Sequence, residues 1–350
     1  MATFIPFLSG DTVDSIDRVF TSAWSGNVNN LESNHFTSSA QYVTTSSTSS
    51  GAFFLEVYNG DATLSTSEVQ YSIAYGNKVG SGSIDFATGE GAEGFSAAKS
   101  VYTQYRNLVY GGDETQNFSF DGHVPDDILV INVNRARYRN SIRMGNLALD
   151  ISGSGAGALL ELTDDSVTTS GSANAIRPGV GREFNLVSGS NGVRQGTSNT
   201  YVTDSGSYGL IYPDAGLIVL NPDALNAAQA DNGIALNIAR SSNAADRNPM
   251  RLRDGILSGS RFILDSQEDI ASKFYFIRVK NQEFNYTTND SFTENDGTLK
   301  HDSMIDNPQV YITTVGLYND AQDLLAVAKL SSPLPKDFTK EALIKVKLDY

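Results

Sequence analysis

Cysteine is absent from the 350 residues, which removes disulfides, thiolate metal sites and cysteine nucleophiles together. Imidazole is scarce as well. The three histidines, His35, His123 and His301, are widely spaced, and no two form a His-x-x-x-His pair. Long apolar runs are missing: "ILVINV" and "GLIVL" fall far short of a membrane span, so no membrane partner is expected. An excess of cations is missing too. The 25 Lys and Arg face 40 Asp and Glu, for a formal charge of −15. Neutralising a phosphate backbone takes clustered Lys and Arg, so nucleic acid is not an expected partner. The opening "MATFIPFLSGDTVDS" lacks the basic region and sustained apolar run of a signal peptide. These features fit a protein made in a reducing cytoplasm.

What is present is sufficient for a substantial core, with 40% apolar residues over a length that suits one large domain or two ordinary ones. Residues 36–51, "FTSSAQYVTTSSTSSG", are rich in Ser and Thr with few apolar anchors, so residues 1–50 read either as an N-terminal arm or linker that orders against a neighbour or as an ordinary β-rich start to the domain. From Gly51 onward, strand-like runs alternate with Gly, Asn and Asp turns. The expected body, 51–350, is α+β and β-rich, mostly antiparallel with a few short helices, with a candidate subdomain division near residue 240.

Individual elements can be anticipated from their periodicity. In "FSAAKSVYTQYRNLVYGG", Ala98, Val101, Tyr102, Tyr105 and Leu108 recur at helical spacing between a Ser96 cap and Gly111-Gly112. "NPDALNAAQADNGIALNIARS" reads as a second, Asn-interrupted helix. "NLALDISGSGAGALLELTDD" and "YGLIYPDAGLIVL" read as hairpins, the second turning at Pro213–Gly216. "SKFYFIRVKNQEFNY" reads as a strand with Tyr275, Ile277 and Val279 on one face. In "ALIKVKLDY", Ile344, Val346, Leu348 and Tyr350 alternate with Lys345, Lys347 and Asp349, the pattern of a strand with one buried face. Such a strand is paired on at least one edge and leaves the other inside a sheet or open to a neighbour. Pro333 and Pro335 are expected to break the strand before it.

Few residues carry recognisable chemistry. Glu32 and His35 match half of a di-iron carboxylate motif, but a second copy and long facing helices are missing. The cluster Gly153, Gly155, Gly157 lacks dinucleotide-loop spacing and a following helix, and reads as a hairpin tip. Ser96 lacks the second glycine of a nucleophile elbow. The pairs Asp126-Asp127 and Asp164-Asp165 read as solvated strand ends, because adjacent strand residues point to opposite faces. "NDSFTEND", residues 289–296, is acidic but lacks EF-hand spacing. No catalytic residue, metal ligand or cofactor is therefore assigned. One pattern stands out: in "NVNRARYRNSIR", Arg135, Arg137 and Arg139 alternate, so a strand would align three guanidiniums as a candidate interface. Their expected partners are the chain's own acids, those of an adjoining copy, or an anion.

Several segments together resemble a family of virion structural proteins from large contractile-tailed phages, especially of the marine cyanophage type. They are "VQYSIAYGNKVGSGS", "YTQYRNLVYG", "PDDILVINVNRARYR", "YGLIYPDAGLIVL", "FIRVKNQEFNYTTN" and "NPQVYITTVGLYNDAQDLLAVAKLSSPLPKDFTKEALIKVKLDY". The similarity runs from about residue 50 and is densest over roughly the last 80 residues. It implies a non-enzymatic particle component without catalytic residues or cofactor, assembled in multiple copies in the host cytoplasm and located in the virion. Its implied partners are other virion proteins and further copies of itself. The tail or baseplate is the first expectation for its place. Decoration of the neck or capsid surface, or a receptor- or glycan-binding tail role, are the alternatives.

Overall fold

The computed structural model describes residues 4–31, 42–44, 54–60, 64–79, 98–153, 159–195, 201–239, 248–286 and 290–350. Its elements, in chain order, are β1 (Thr12–Ser22), β2 (Tyr42–Thr44), β3 (Phe54–Tyr58), β4 (Val69–Asn77), α1 (Ala98–Tyr110), β5 (Asp127–Val133), β6 (Ser141–Ile142), β7 (Ala148–Ser152) and β8 (Leu159–Asp164). There follow β9 (Ala175–Arg177), β10 (Gly181–Ser190), β11 (Val193–Arg194), β12 (Gly209–Tyr212), β13 (Leu217–Leu220), α2 (Pro222–Asn226), α3 (Asn248–Leu257) and β14 (Phe262–Ile263). The series closes with β15 (Asp265–Val279), β16 (Val310–Tyr318), β17 (Leu324–Lys336) and β18 (Ala342–Asp349). The fold is α+β and β-rich, with antiparallel sheets and three α-helices among the described residues, as expected.

Two compact units emerge: Val19–Glu268, and Met1–Arg18 with Asp269–Tyr350. The larger contains a sheet ordered β14-β7-β8-β10-β12-β13-β5-β4-β3-β2, with β9 and β11 also on β10. Its centre explains the apolar run "ILVI" within β5. Along β5, Leu129, Ile131 and Val133 join one core, and Ile128 and Val130 join another on the opposite face. A strand covered on both sides needs apolar residues at every position. On one face lie Tyr102, Tyr105 and Val109 of α1; on the other lie Leu225 of α2 and Leu252 and Ile256 of α3. α1 can lie close to β4 because residue 76 is glycine. A Cβ there would come within 2.7 Å of the Tyr102 backbone nitrogen.

The smaller unit pairs β15 with both β1 and β18. Its core forms between β18 and the β16–β17 hairpin: Val315, Leu317, Ile344 and Val346, with Tyr275 and Ile277 packed against them. The alternation anticipated for β18 holds from Ala342 to Lys347, buried and exposed in turn.

Several expectations change. Pro333 and Pro335 do not end a strand: β17 runs through both, pairing Pro335 with Tyr311. The register jumps between Ile312–Leu334 and Thr314–Lys329, a bulge that absorbs Leu330–Pro333, and β17 has only β16 as a ladder partner among the described strands. A bulged strand at a sheet edge is where proline is tolerated. The second expected helix is only Pro222–Asn226, capped by Asn221. It stops because the backbone turns extended at Ala227 and Ala228, and left-handed residues at Asn232, Ala235 and Asn237 keep the rest of the segment from resuming a helix. In α1, Leu108 is exposed and Val109 takes the buried place; Ser96 lies outside the described residues. Of the segment expected as an arm, β1 belongs to a sheet, and Trp24 is buried with its indole N–H on the Phe262 carbonyl at 2.7 Å. The Ser- and Thr-rich stretch lies outside the described residues except for Tyr42–Thr44. The unit boundaries fall at 18/19 and 268/269, whereas the sequence suggested a division near 240.

Candidate interaction surface

Asn134 decides the fate of the arginine motif. Its side-chain oxygen accepts the Ala136 N–H at 2.9 Å and its carbonyl accepts the Arg137 N–H at 2.8 Å. The chain therefore turns into a 3-10 segment at Arg135–Arg137 directly after β5. The strand expected to align the three guanidiniums is not formed, because an Asx cap offers the backbone a competing bond. Arg135 donates to the Tyr138 carbonyl at 2.6 Å and stacks on that ring. Arg137 pairs with Glu68 at 2.8 Å and also reaches Ser25. Those partners, Ser25 first and then the Arg137 charge, hold the Glu68 carboxyl below its ordinary value. Arg139 is exposed, and its backbone N–H donates to Ser266.

The paired acids divide differently from expectation. Asp126 is an exposed partner of Lys78 at 3.1 Å, but Asp127, Asp164 and Asp165 are buried. Asp164 accepts the backbone N–H groups of Gly145 and Ser166. Asp165 accepts from the backbone and side chain of Asn185. Burial raises the Asp165 pKa, with the bonds from Asn185 and Asn174 opposing it. These carboxylates fix loops, which explains why they are inside. Glu183 does similar work. It binds Arg177 in a fork, at 2.7 and 2.9 Å, and accepts the Tyr212 hydroxyl at 2.9 Å. Spacing gave no hint of this network, since its members come from β9, β10 and β12.

His123 pairs with Asp223 at 2.8 Å, across 100 positions of sequence. Glu32 and His35 lie outside the described residues, as do Gly155 and Gly157 at the β7–β8 tip. Gly153 is described, and a Cβ there would strike the Ile234 carbonyl. Among the described residues no group of three His, Asp or Glu is placed to share a metal ion, and the acidic stretch at 290–296 forms none. No helix among them is long and apolar enough to cross a membrane.

The smaller unit differs most from an ordinary protein surface. Of the 27 exposed large apolar side chains among the described residues, 17 belong to this unit, although it has 100 of the 350 residues. The hairpin alone shows Tyr311, Leu325 and Val327 at 59%, 68% and 54% exposure. Its core is thin, with six buried hydrophobic residues among the described ones, none fully inaccessible. On the face of β15 and β18 away from that core, Lys345 sits 3.9 Å from the Phe274 ring and Lys347 pairs with Asp17; further ion pairs in this unit join Lys273 to Asp14 and Arg18 to Asp269.

Comparisons with protein-family models, with curated proteins and with solved structures each gave no match.

Proposed function

We propose that this chain is a non-enzymatic structural subunit of a phage virion, a tail or baseplate component that works by multi-copy assembly. The observation that carries the reading is the concentration of exposed apolar side chains on the small unit formed by residues 1–18 and 269–350. Roughly the last 80 residues, within that unit, are also where the resemblance to virion proteins is densest. Its strands have unfilled edges among the described residues: β16 and β17 pair only with one another, and β18 only with β15. An apolar surface beside open strand edges is suited to docking by backbone pairing with pockets for alternate side chains. The partners are other virion proteins and further copies of this chain.

Labelling the protein in intact particles and locating it by electron microscopy tests the reading. Density at the tail or baseplate is the expected result. Density at the neck or shell would move the subunit to a decorating role, and absence from mature particles would overturn the proposal. A glycan array that returned specific, saturable binding would favour a receptor-binding tail protein instead.

A further inference from the structure

Lys336, at the end of β17, is 0% exposed, one of the largest fully buried side chains of the protein. A buried ammonium ordinarily has a carboxylate partner. This one has none at ion-pair distance among the described residues. Its Nζ donates to the Asn281 carbonyl at 3.0 Å and to the Asn285 side-chain oxygen at 2.6 Å. Asn285 is itself 8% exposed, and its Nδ2 donates to the same Asn281 carbonyl at 2.7 Å. That bond settles which end of the amide faces the lysine. Asn281 is held in turn, donating to the Phe338 carbonyl at 2.8 Å. An amine and an amide are thus fixed side by side with both side chains buried. With Oδ1 at 2.6 Å from Nζ, a carbonyl bond of about 1.23 Å leaves the Asn285 Cγ no more than about 3.8 Å from Nζ, near attack distance.

We propose that Lys336 and Asn285 join in an intramolecular isopeptide bond. The neutral amine adds to the Asn285 Cγ, the new Nζ–Cγ bond replaces the Cγ–Nδ2 bond, and Nδ2 leaves as ammonia. The ammonium proton released by Lys336 ends on that ammonia, so charge and atoms balance without oxidant, metal or cofactor. The nucleophile needs the neutral form, and burial lowers the lysine pKa, while the Glu283 and Asp337 carboxylates act in the opposite direction. Both carboxylates are engaged elsewhere. Glu283 accepts the Lys280 N–H at 2.8 Å, and Asp337 accepts from Thr339 at 2.8 and 2.6 Å. The bond would close a loop between positions 51 apart, with the entire β16–β17 hairpin inside it. It does not depend on what the protein assembles with.

Intact-mass spectrometry of the folded full chain is the test, with peptide mapping and a time course in mildly acidic and mildly alkaline buffer. The expected result is a chain one ammonia lighter than its sequence, formed faster in alkali, with a branched peptide joining Asn285 to Lys336. K336R should keep the full sequence mass. N285D, which preserves shape and offers a carboxyl group, should close with loss of one water or stay open; a loss of ammonia in N285D would overturn the assignment. So would an ammonia loss persisting in K336R, the mark of a succinimide at another asparagine. Wild-type protein that remains at its sequence mass throughout, while its circular dichroism shows it folded, would overturn the proposal outright.

Discussion

Glu183 shows how much one side chain can hold in this protein, and how little of that is visible in its neighbours along the chain. Removing it as E183A strands the Arg177 guanidinium and the buried Tyr212 hydroxyl together. The expected loss is about 3–5 kcal/mol, the range for breaking a buried pair, read as a lower urea midpoint. Burial keeps Tyr212 protonated far above the ordinary tyrosine range, so its hydroxyl is a donor at any working pH. Y212F removes the Tyr212 hydroxyl's bonds to Glu183 and Tyr110 while leaving the Arg177–Glu183 pair, and should cost about 1.5–3 kcal/mol. Asp214 gives a pH-dependent counterpart. Burial pushes its pKa up, but hydrogen bonds from Arg182 and that residue's charge outweigh the effect, so the carboxyl sits below its ordinary value. Because the folded state holds the proton less tightly than the unfolded chain, the contribution is complete above the ordinary Asp pKa. It disappears as pH falls through the depressed one. The pair is partly solvent-screened, so D214N should cost about 1 kcal/mol at neutral pH, and its urea curve should converge on wild type in acid. At this scale the arginine alternation was legible and its meaning was not: Asn134 diverts the backbone before period-two geometry can apply.

At the scale of elements, the segments with one strong period were readable. β18 alternates because one face meets the small core, and β12 and β13 flank a Pro-Asp-Ala-Gly turn. α1 was readable as a helix, but its stripe was off by one residue, since Leu108 and Val109 are equally apolar and only the position of β4 chooses between them. That position depends on Gly76. G76A should therefore separate α1 from the sheet and cost about 1–3 kcal/mol, the range for overpacking, measurable as a lower melting temperature with helical circular dichroism retained. β17 was misread because proline forbids a strand only where its missing N–H is needed, and pairing is settled by a distant partner. The short helix at Pro222–Asn226 went wrong for a local reason: the chain turns extended at Ala227 and Ala228, where alanine's helix propensity predicts the opposite.

For the whole molecule, the two-unit division could not be read because it depends on β1 meeting β15 from the opposite end of the chain, and composition does not change at residues 18 or 268. The surplus of exposed apolar side chains was equally hidden, since the sequence does not show which face of each strand another element covers. If that surface serves assembly, L325D and V327D should leave the isolated subunit's melting temperature nearly unchanged, because both side chains are mostly exposed. They should abolish incorporation into particles, scored by gradient sedimentation of assembled material. Closing the loop between Asn285 and Lys336 would add about 4 kcal/mol by the chain-entropy estimate, so K336R should melt several degrees lower than the linked wild type. The thinness of the hairpin's core has a kinetic side. With a core of four buried side chains, Val315, Leu317, Ile344 and Val346, and otherwise only partly buried ones around them, the amide protons of β16 and β17 should trade with deuterated solvent long before those around Val130. If the proposed assembly holds, clamping by neighbours should all but stop the trade, which would make it a gauge of how far a particle has matured.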